Sequence, residues 1–277
     1  VITNILRDHQ NYYKSMDDYI ADKKNIFLFQ KPGDFLIAND ESEKIKELYP
    51  EIKSEILKFS LKSFGEDKSI FVQDGAIFIN DGIDVKKVID IKDIKIPGKH
   101  NLMNIMAATG AVHPFGVKTE EIKKAIMNFS GVKHRLEFVR EFNGVKYYND
   151  TAATIPDAAM MSLGCFSDPI ILIAGGTDKK LEFASFGKEI SQKAKKVILL
   201  KGTATEKLLS EIKKNDIENK LGEIPVVDSM EKAVELASQI SENGDIILLS
   251  PGAASFGLFL NEFDRGDKFR EAVKNLK

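Results

Sequence analysis

The sequence predicts an α/β protein in two parts, the second built on a doubly wound, mostly parallel sheet. Apolar runs at 169–174, 197–200, 224–227 and 246–249 each end in glycine or small polar residues. Between them, residues near 183–194, 204–214 and 229–242 follow helical periodicity. Strands alternating with helices in this way imply parallel pairing and right-handed crossovers. Residues 26–96 read differently, as short strands split by turn signals and followed by helices. The boundary falls at Ser130-Gly131-Val132-Lys133, which reads as a linker and gives domains of 1–131 and 132–277.

Composition narrows the class. The chain has 277 residues, 43% hydrophobic and 30% charged, with a formal net charge of -2. Such a balance describes a soluble globular protein and gives no case for a nucleic-acid surface or insertion into a membrane. No apolar run approaches the roughly 20 residues that span a bilayer. The single cysteine, Cys165, excludes an internal disulfide framework and fits a reducing, cytoplasmic setting. No secretory signal is read at the start. Val1-Ile2-Thr3-Asn4-Ile5 reads as a buried strand with nothing before it, so the chain is expected to be a fragment of a longer protein.

In order along the first part, Ser15 is a fair N-cap for a helix over 15–26. Lys23 and Lys24 on that helix read by themselves as solvated lysines. Residues 26–29, 34–38, 69–72, 76–79, 88–91 and 94–96 are expected strands, and Asp74-Gly75 between two of them signals a hairpin. A short helix is expected from Ser42 to Leu48. Pro97-Gly98 breaks the pattern, and a helix from Asn101 to Val112 follows. Asn101 and Asn104 lie one turn apart on one face. Carboxamides there could read the edge of a planar heterocycle, since each offers donor and acceptor. Taken one at a time, they more commonly read as a helix cap and a solvated side chain. Thr119 caps a further helix to Phe129.

In the second part, Asn143-Gly144 signals a hairpin, and the strand after it ends in Asn149-Asp150-Thr151 before a helix near Pro156. Polar residues at the carboxyl end of such a strand stand where open α/β sheets bind ligands, though Asp150 or Thr154 could also serve as a helix cap. Gly175-Gly176-Thr177-Asp178-Lys179-Lys180 and Ser250-Pro251-Gly252-Ala253-Ala254-Ser255 occupy equivalent strand ends, and a last helix is expected over 258–276.

Five blocks, in order, resemble the Mur ligase family. His100-Asn101-Leu102-Met103-Asn104-Ile105-Met106-Ala107-Ala108 matches HNxxNxxAA. Asp8-His9 with Tyr19 and Lys23 is similar to DHxD…Y…AK, departing at Asn11 and Asp22. His134-Arg135-Leu136-Glu137 with Asp150-Thr151-Ala152-Ala153-Thr154 resembles HR(L/F/M)E and DSKAT, Ala152 replacing the usual lysine. GGTDKK resembles GG.DK. The stretch from Leu248 to Phe269 is similar to the D-glutamate-adding branch, with Gly257 in place of Asp and Glu262 where an aromatic is usual.

The resemblance implies an incomplete central ATPase domain followed by a Rossmann-like C-terminal domain. It implies that His9 and a carbamylated Lys23 ligate Mg2+, that Asn101 and Asn104 meet the adenine end of ATP, that Arg135 contacts its phosphates and Asp150 its ribose. Thr154, Lys179, Ser255 and Phe263 would hold the amino acid. The implied substrates are UDP-N-acetylmuramoyl-L-alanine and D-glutamate, joined through an acyl phosphate in peptidoglycan precursor synthesis by a cytoplasmic enzyme that is a monomer when full length. No GxxxxGK(S/T) phosphate loop occurs in the chain, so the piece is expected to be inactive alone. A ligase of this type for a different amino acid, or a non-catalytic nucleotide- or amino-acid-binding relative, are the alternatives.

Overall fold

The computed structural model describes residues 1–6, 12–62 and 68–277. The chain divides into two compact units, Val1–Ser130 and Gly131–Lys277. Among the described residues, no helix is long and apolar enough to cross a membrane.

The first unit opens with Ile2, which forms one parallel bridge to Ala38. Ile2 and Ile5 are buried as read, but the pairing of this segment is confined to that bridge. Helix α1 (Met16–Leu28) is capped by Ser15, whose Oγ accepts the Asp18 N–H at 3.1 Å. The strand expected over 26–29 is instead the end of this helix and its cap. Ile26, Leu28 and Phe29 are exposed while Phe27 is buried, so the helical period simply continues from Tyr19.

Five strands follow: β1 (Phe35–Asn39), β2 (Glu55–Ser60), β3 (Ser69–Gln73), β4 (Ala76–Asn80) and β5 (Val85–Asp90). They lie side by side in that order, parallel from β1 to β3 and antiparallel from β3 to β5. Asp74 and Gly75 both take positive φ, 48° and 72°, in the β3–β4 turn, as an Asp-Gly pair allows. The sequence reading lacks β2, whose charged Glu55 and Lys58 interrupt the apolar pattern although Leu57 and Phe59 are buried. It also places a strand at 94–96 that does not form; Ile94 and Ile96 pack on the core without pairing. Short α2 (Glu43–Lys46) joins β1 to β2. Helix α3 (Lys99–Val112) lies against the sheet. A Cβ on its Gly110 would meet Ile37 Cγ2 at 2.9 Å, so glycine permits the close approach. For α4 (Thr119–Asn128) the cap is Lys118, not Thr119, and the Glu121 carboxylate accepts the Lys118 N–H at 3.3 Å.

The second unit has the strand order β10-β9-β8-β11-β7-β6. Strands β7 (Val145–Asn149), β8 (Ile170–Gly175), β9 (Ala194–Leu200), β10 (Val226–Val227) and β11 (Ile246–Leu249) are parallel, and β6 (Glu137–Phe142) is an antiparallel edge. Every residue of β8 is buried, as expected of a strand covered on both faces. Ile170, Leu172 and Ala174 meet one core with α5 (Pro156–Leu163), α6 (Ala184–Lys193) and α7 (Thr205–Asn215). Ile171 and Ile173 point the other way, into the core with α8 (Met230–Gln239) and α9 (Glu262–Lys274). Full burial of each of these isoleucine and leucine side chains contributes on the order of 1.5–3 kcal/mol. The neighbours β8 and β11 lead into α6 and α9 on opposite faces, so their carboxyl ends form the topological switch point of the sheet.

Candidate functional site

In the first unit, α3 starts at Gly98, which has φ 100° and offers no side-chain cap. Asn101 is 8% exposed, and its Nδ2 donates to Pro97 O at 2.6 Å. Asn101 thus closes its own turn, whereas Asn104, one turn on, is exposed. On α1 the two neighbouring lysines differ. Lys24 pairs with Glu51 at 2.6 Å, while the Lys23 amine lies 5.2 Å from the centre of the Tyr19 ring. His9 lies outside the described residues. Among the described residues no group of three or more His, Cys, Asp or Glu side chains could hold a metal ion. Mg2+ takes oxygen ligands, which an unmodified Lys23 amine does not offer and a carbamate on it would.

In the second unit, the candidate residues gather at the carboxyl edge of the sheet. Thr154 follows β7, Lys179 follows β8 and Ser255 follows β11; Phe263 is on the first turn of α9. Lys179 and Phe263 are exposed, Thr154 is half-buried and Ser255 is 3% exposed.

The paired glycines after β8 have a steric reason. At Gly175 a Cβ would meet Leu200 O at 2.8 Å, and at Gly176, with φ 137°, it would meet Ala254 O at 2.3 Å. Backbone can therefore pass close to both flanking loops. Thr177 and Ala254 exchange N–H···O bonds of 2.8 and 3.0 Å, and Gly176 O accepts the Ala204 N–H at 2.9 Å. The Asp178 N–H donates to Thr203 Oγ1 at 2.9 Å, and the Asp178 carboxylate pairs with Lys207.

Arg135 is exposed between two residues with positive φ, His134 at 70° and Leu136 at 42°. Such a backbone persists only when its surroundings hold it. Here the His134 N–H donates to Glu137 Oε2 at 2.9 Å, and the Leu136 N–H to Asp150 Oδ1 at 3.1 Å. The other Asp150 oxygen accepts the hydroxyls of Ser162 at 2.6 Å and Ser250 at 2.8 Å. Asp150 is 3% exposed and its carboxylate faces inward, so a ribose contact would require displacing one of these donors. Burial raises its pKa, against the lowering by the same three hydrogen bonds.

The sequence reading assigns no role to Arg265, and it is the most conspicuous group of this edge. Arg265 is fully buried; its Nε and Nη2 reach Thr151 Oγ1 and O at 2.9 and 3.0 Å, and Nη1 reaches Ala253 O at 3.1 Å. Burial pulls its pKa down to about 10, which leaves it protonated at neutral pH. Its neighbour Gly266 packs on His134, where a Cβ would meet Nδ1 at 2.3 Å. The His134 ring in turn lies 5.7 Å from that of Phe263. The Arg265-Gly266 pair inside an otherwise charged helix start is the signal that could have found this anchor. Cys165 behaves as the packed thiol expected: burial pushes its pKa up to about 12.

The Mur ligase middle domain profile matches residues 1–112, and the profile of the Mur ligase glutamate ligase domain matches residues 134–252. This chain belongs to the Mur ligase family. As a Mur ligase chain it is 40% identical over 278 residues to the UDP-N-acetylmuramoylalanine--D-glutamate ligase of Clostridium perfringens, matching 100% of this chain and 59% of that protein. It is likewise 40% identical over 281 residues to the ligase of the same name from Roseiflexus sp., covering 99% of this chain and 60% of the relative. The chain thus spans about 59% of the length of the curated relatives it matches. Among solved structures, UDP-N-acetylmuramate-alanine ligase from Thermotoga maritima superposes with a TM-score of 0.68 at 18% identity, over 99% of this chain and 59% of that one. E. coli FolC in complex with ADP gives 0.68 at 16% identity, over 99% of this chain and 62% of that one. These structures share the Mur ligase fold with this chain.

Proposed function

We propose that this chain is part of an ATP-dependent ligase that joins D-glutamate to UDP-N-acetylmuramoyl-L-alanine during cytoplasmic synthesis of peptidoglycan precursors. The observation that carries the reading is the 40% identity to a D-glutamate ligase across the whole chain. In the reaction, the terminal phosphoryl group of ATP passes to the acceptor carboxylate. The D-glutamate amine then attacks the acyl carbon, phosphate leaves, and the amine loses a proton as the amide forms. Binding of ATP is in keeping with the ADP in the T. maritima MurF and E. coli FolC complexes.

The residues divide the work by chemistry. Exposed Asn104 offers donor and acceptor to the adenine edge, with Asn101 fixing the turn beside it. Arg135 offers a fork suited to phosphate oxygens, and Asp150 holds the turn that presents it. Lys179 and Ser255 take the carboxylates of D-glutamate, Thr154 meets its amine end and Phe263 packs on its carbon chain. Lys23, once carbamylated, and His9 would ligate Mg2+, which would neutralise phosphate charge. The full-length enzyme is a monomer.

Ala152, Gly257 and Glu262 depart from the D-glutamate pattern and favour a second reading, a ligase of the same type for another amino acid. Ligand-induced thermal stabilisation separates the two, since a ligand that binds only the folded chain raises its midpoint. D-Glutamate, but not L-glutamate or other D-amino acids, should raise the midpoint, and Lys179→Ala or Ser255→Ala should abolish the shift. A shift given by a different amino acid alone would replace the first reading with the second.

A further inference from the structure

Lys179 and Ser255 come from loops that leave β8 and β11 on opposite faces of the sheet. Two groups that bind one small ligand from separate loops need those loops held in register. We propose that Thr177 is the positioning residue that does this: its hydroxyl latches the loop carrying Lys179 to the loop carrying Ser255. The inference rests on the assignment of Lys179 and Ser255 to the amino-acid carboxylates.

The geometry is a bracket around Ser255. On one side, the Thr177 N–H donates to Ala254 O at 2.8 Å and the Ala254 N–H donates to Thr177 O at 3.0 Å. On the other, the Thr177 hydroxyl donates to Phe256 O. A single residue therefore holds the backbone immediately before and immediately after Ser255. The backbone bridge alone would leave the far side loose, because Phe256 is 56% exposed and Gly257, with φ 100°, follows it. Past these two residues Leu258 and Phe259 pack into the core and the Phe259 N–H donates to Ser255 O at 3.3 Å, so the hydroxyl bond holds the exposed pair between Ser255 and that anchor. A Cβ at Gly257 would lie 3.8 Å from Thr177 Oγ1, so the hydroxyl is uncrowded.

Thr177 is itself well anchored. The next residue, Asp178, is tied through its N–H to Thr203 Oγ1 at 2.9 Å, and its carboxylate takes the Leu181 N–H at 3.0 Å. Lys179 thus leaves a backbone fixed on both sides. The latch transfers that order to Ser255, and ordering a site before the ligand arrives lowers the entropy lost on binding.

Thr177→Val keeps the shape and removes the hydroxyl, while Thr177→Ser restores it. In the full chain, amide hydrogen exchange at Ala254 should quicken roughly fivefold in Thr177→Val, the effect of losing one net hydrogen bond. The thermal shift given by D-glutamate should fall with it, with the ligand-free midpoint little changed. Thr177→Ser should recover both. Unchanged exchange in Thr177→Val would overturn the latch. Faster exchange with an undiminished D-glutamate shift would overturn the positioning role and leave a purely structural bond. If the Thr177 protein itself shows no D-glutamate shift, the functional reading fails and the positioning role with it, while the exchange rates still decide the latch.

Discussion

The Arg265 guanidinium holds Thr151 twice, through the hydroxyl at 2.9 Å and the carbonyl at 3.0 Å. With the bond to Ala253 O, one buried cation ties the loop after β7 to the loop after β11. All three partners are neutral oxygens, so the charge is offset by hydrogen bonds and not by an ion pair. Arg265→Met leaves buried carbonyls without donors and should cost about 2–4 kcal/mol of unfolding free energy. Arg265→Lys keeps the charge but cannot span both loops, and should fall between. Urea unfolding measures both. A loss below about 1 kcal/mol for Arg265→Met would show that the loops do not depend on it.

Asp150 gives a pH prediction with a definite sign. Burial raises its folded pKa above the ordinary 3.8. A raised carboxylate pKa means that its contribution to stability is in full force below 3.8 and is lost as pH rises through the folded pKa. Asp150→Asn should remove this component, so the difference in stability between variant and wild type should narrow as pH rises through that window. Parallel stability curves for the two proteins would contradict the assignment. Asp150→Ala should be worse at every pH, because it strands the Leu136 N–H and the Ser162 and Ser250 hydroxyls.

The alternation of strands and helices after residue 145 was plain in the sequence, because a parallel strand covered on both faces must be apolar throughout, as β8 is. Less was legible where burial is one-sided or local. Residues 26–29 looked like a strand because four apolar residues do not distinguish a strand from a helix end, and β2 was hidden by Glu55 and Lys58. For the candidate site, motif order located Lys179 and Ser255 on the loops after β8 and β11, and Arg135 just before β6. It could not reveal that Asp150 faces inward, or that Arg265 and Thr177 bind the loops together. Those facts depend on which loops meet in space, and sequence order does not contain that.

The two lysines on α1 make a clean comparison. Lys24 is held by Glu51 at 2.6 Å, whereas Lys23 faces the Tyr19 ring. Carbon dioxide adds to the amine nitrogen, and the Lys24 amine is already occupied by the Glu51 carboxylate, whereas the Lys23 amine lies over an aromatic ring that makes no ion pair with it. In bicarbonate labelled with carbon-13, a carbamate resonance should be present in wild type and Lys24→Arg and absent in Lys23→Arg. Its loss in Lys24→Arg with retention in Lys23→Arg would reverse the choice.

His134 should make the second unit sensitive to mild acid. The Thr151 N–H donates to Asn149 Oδ1 at 3.2 Å, which fixes the amide so that its Nδ2 faces His134 Nδ1 at 3.0 Å. Nδ1 must therefore accept, and the ring proton belongs on Nε2, 3.7 Å from Asp267 Oδ1. A second ring proton would point at the Asn149 amide donor. Burial lowers the His134 pKa below 6.5, and the opposing pulls of Asp267 and Glu137 against Lys133 and Arg270 do not reverse it. A depressed histidine pKa gives a contribution that is complete above 6.5 and lost as pH falls through the folded value. Asn is a fitting replacement, since it tolerates the positive φ of 70° at this position and does not titrate. Between about pH 7.5 and about pH 5, the melting midpoint of wild type should drop further than that of His134→Asn. Equal drops would mean that the ring stays neutral, or is protonated without cost, and that acid acts elsewhere in the chain.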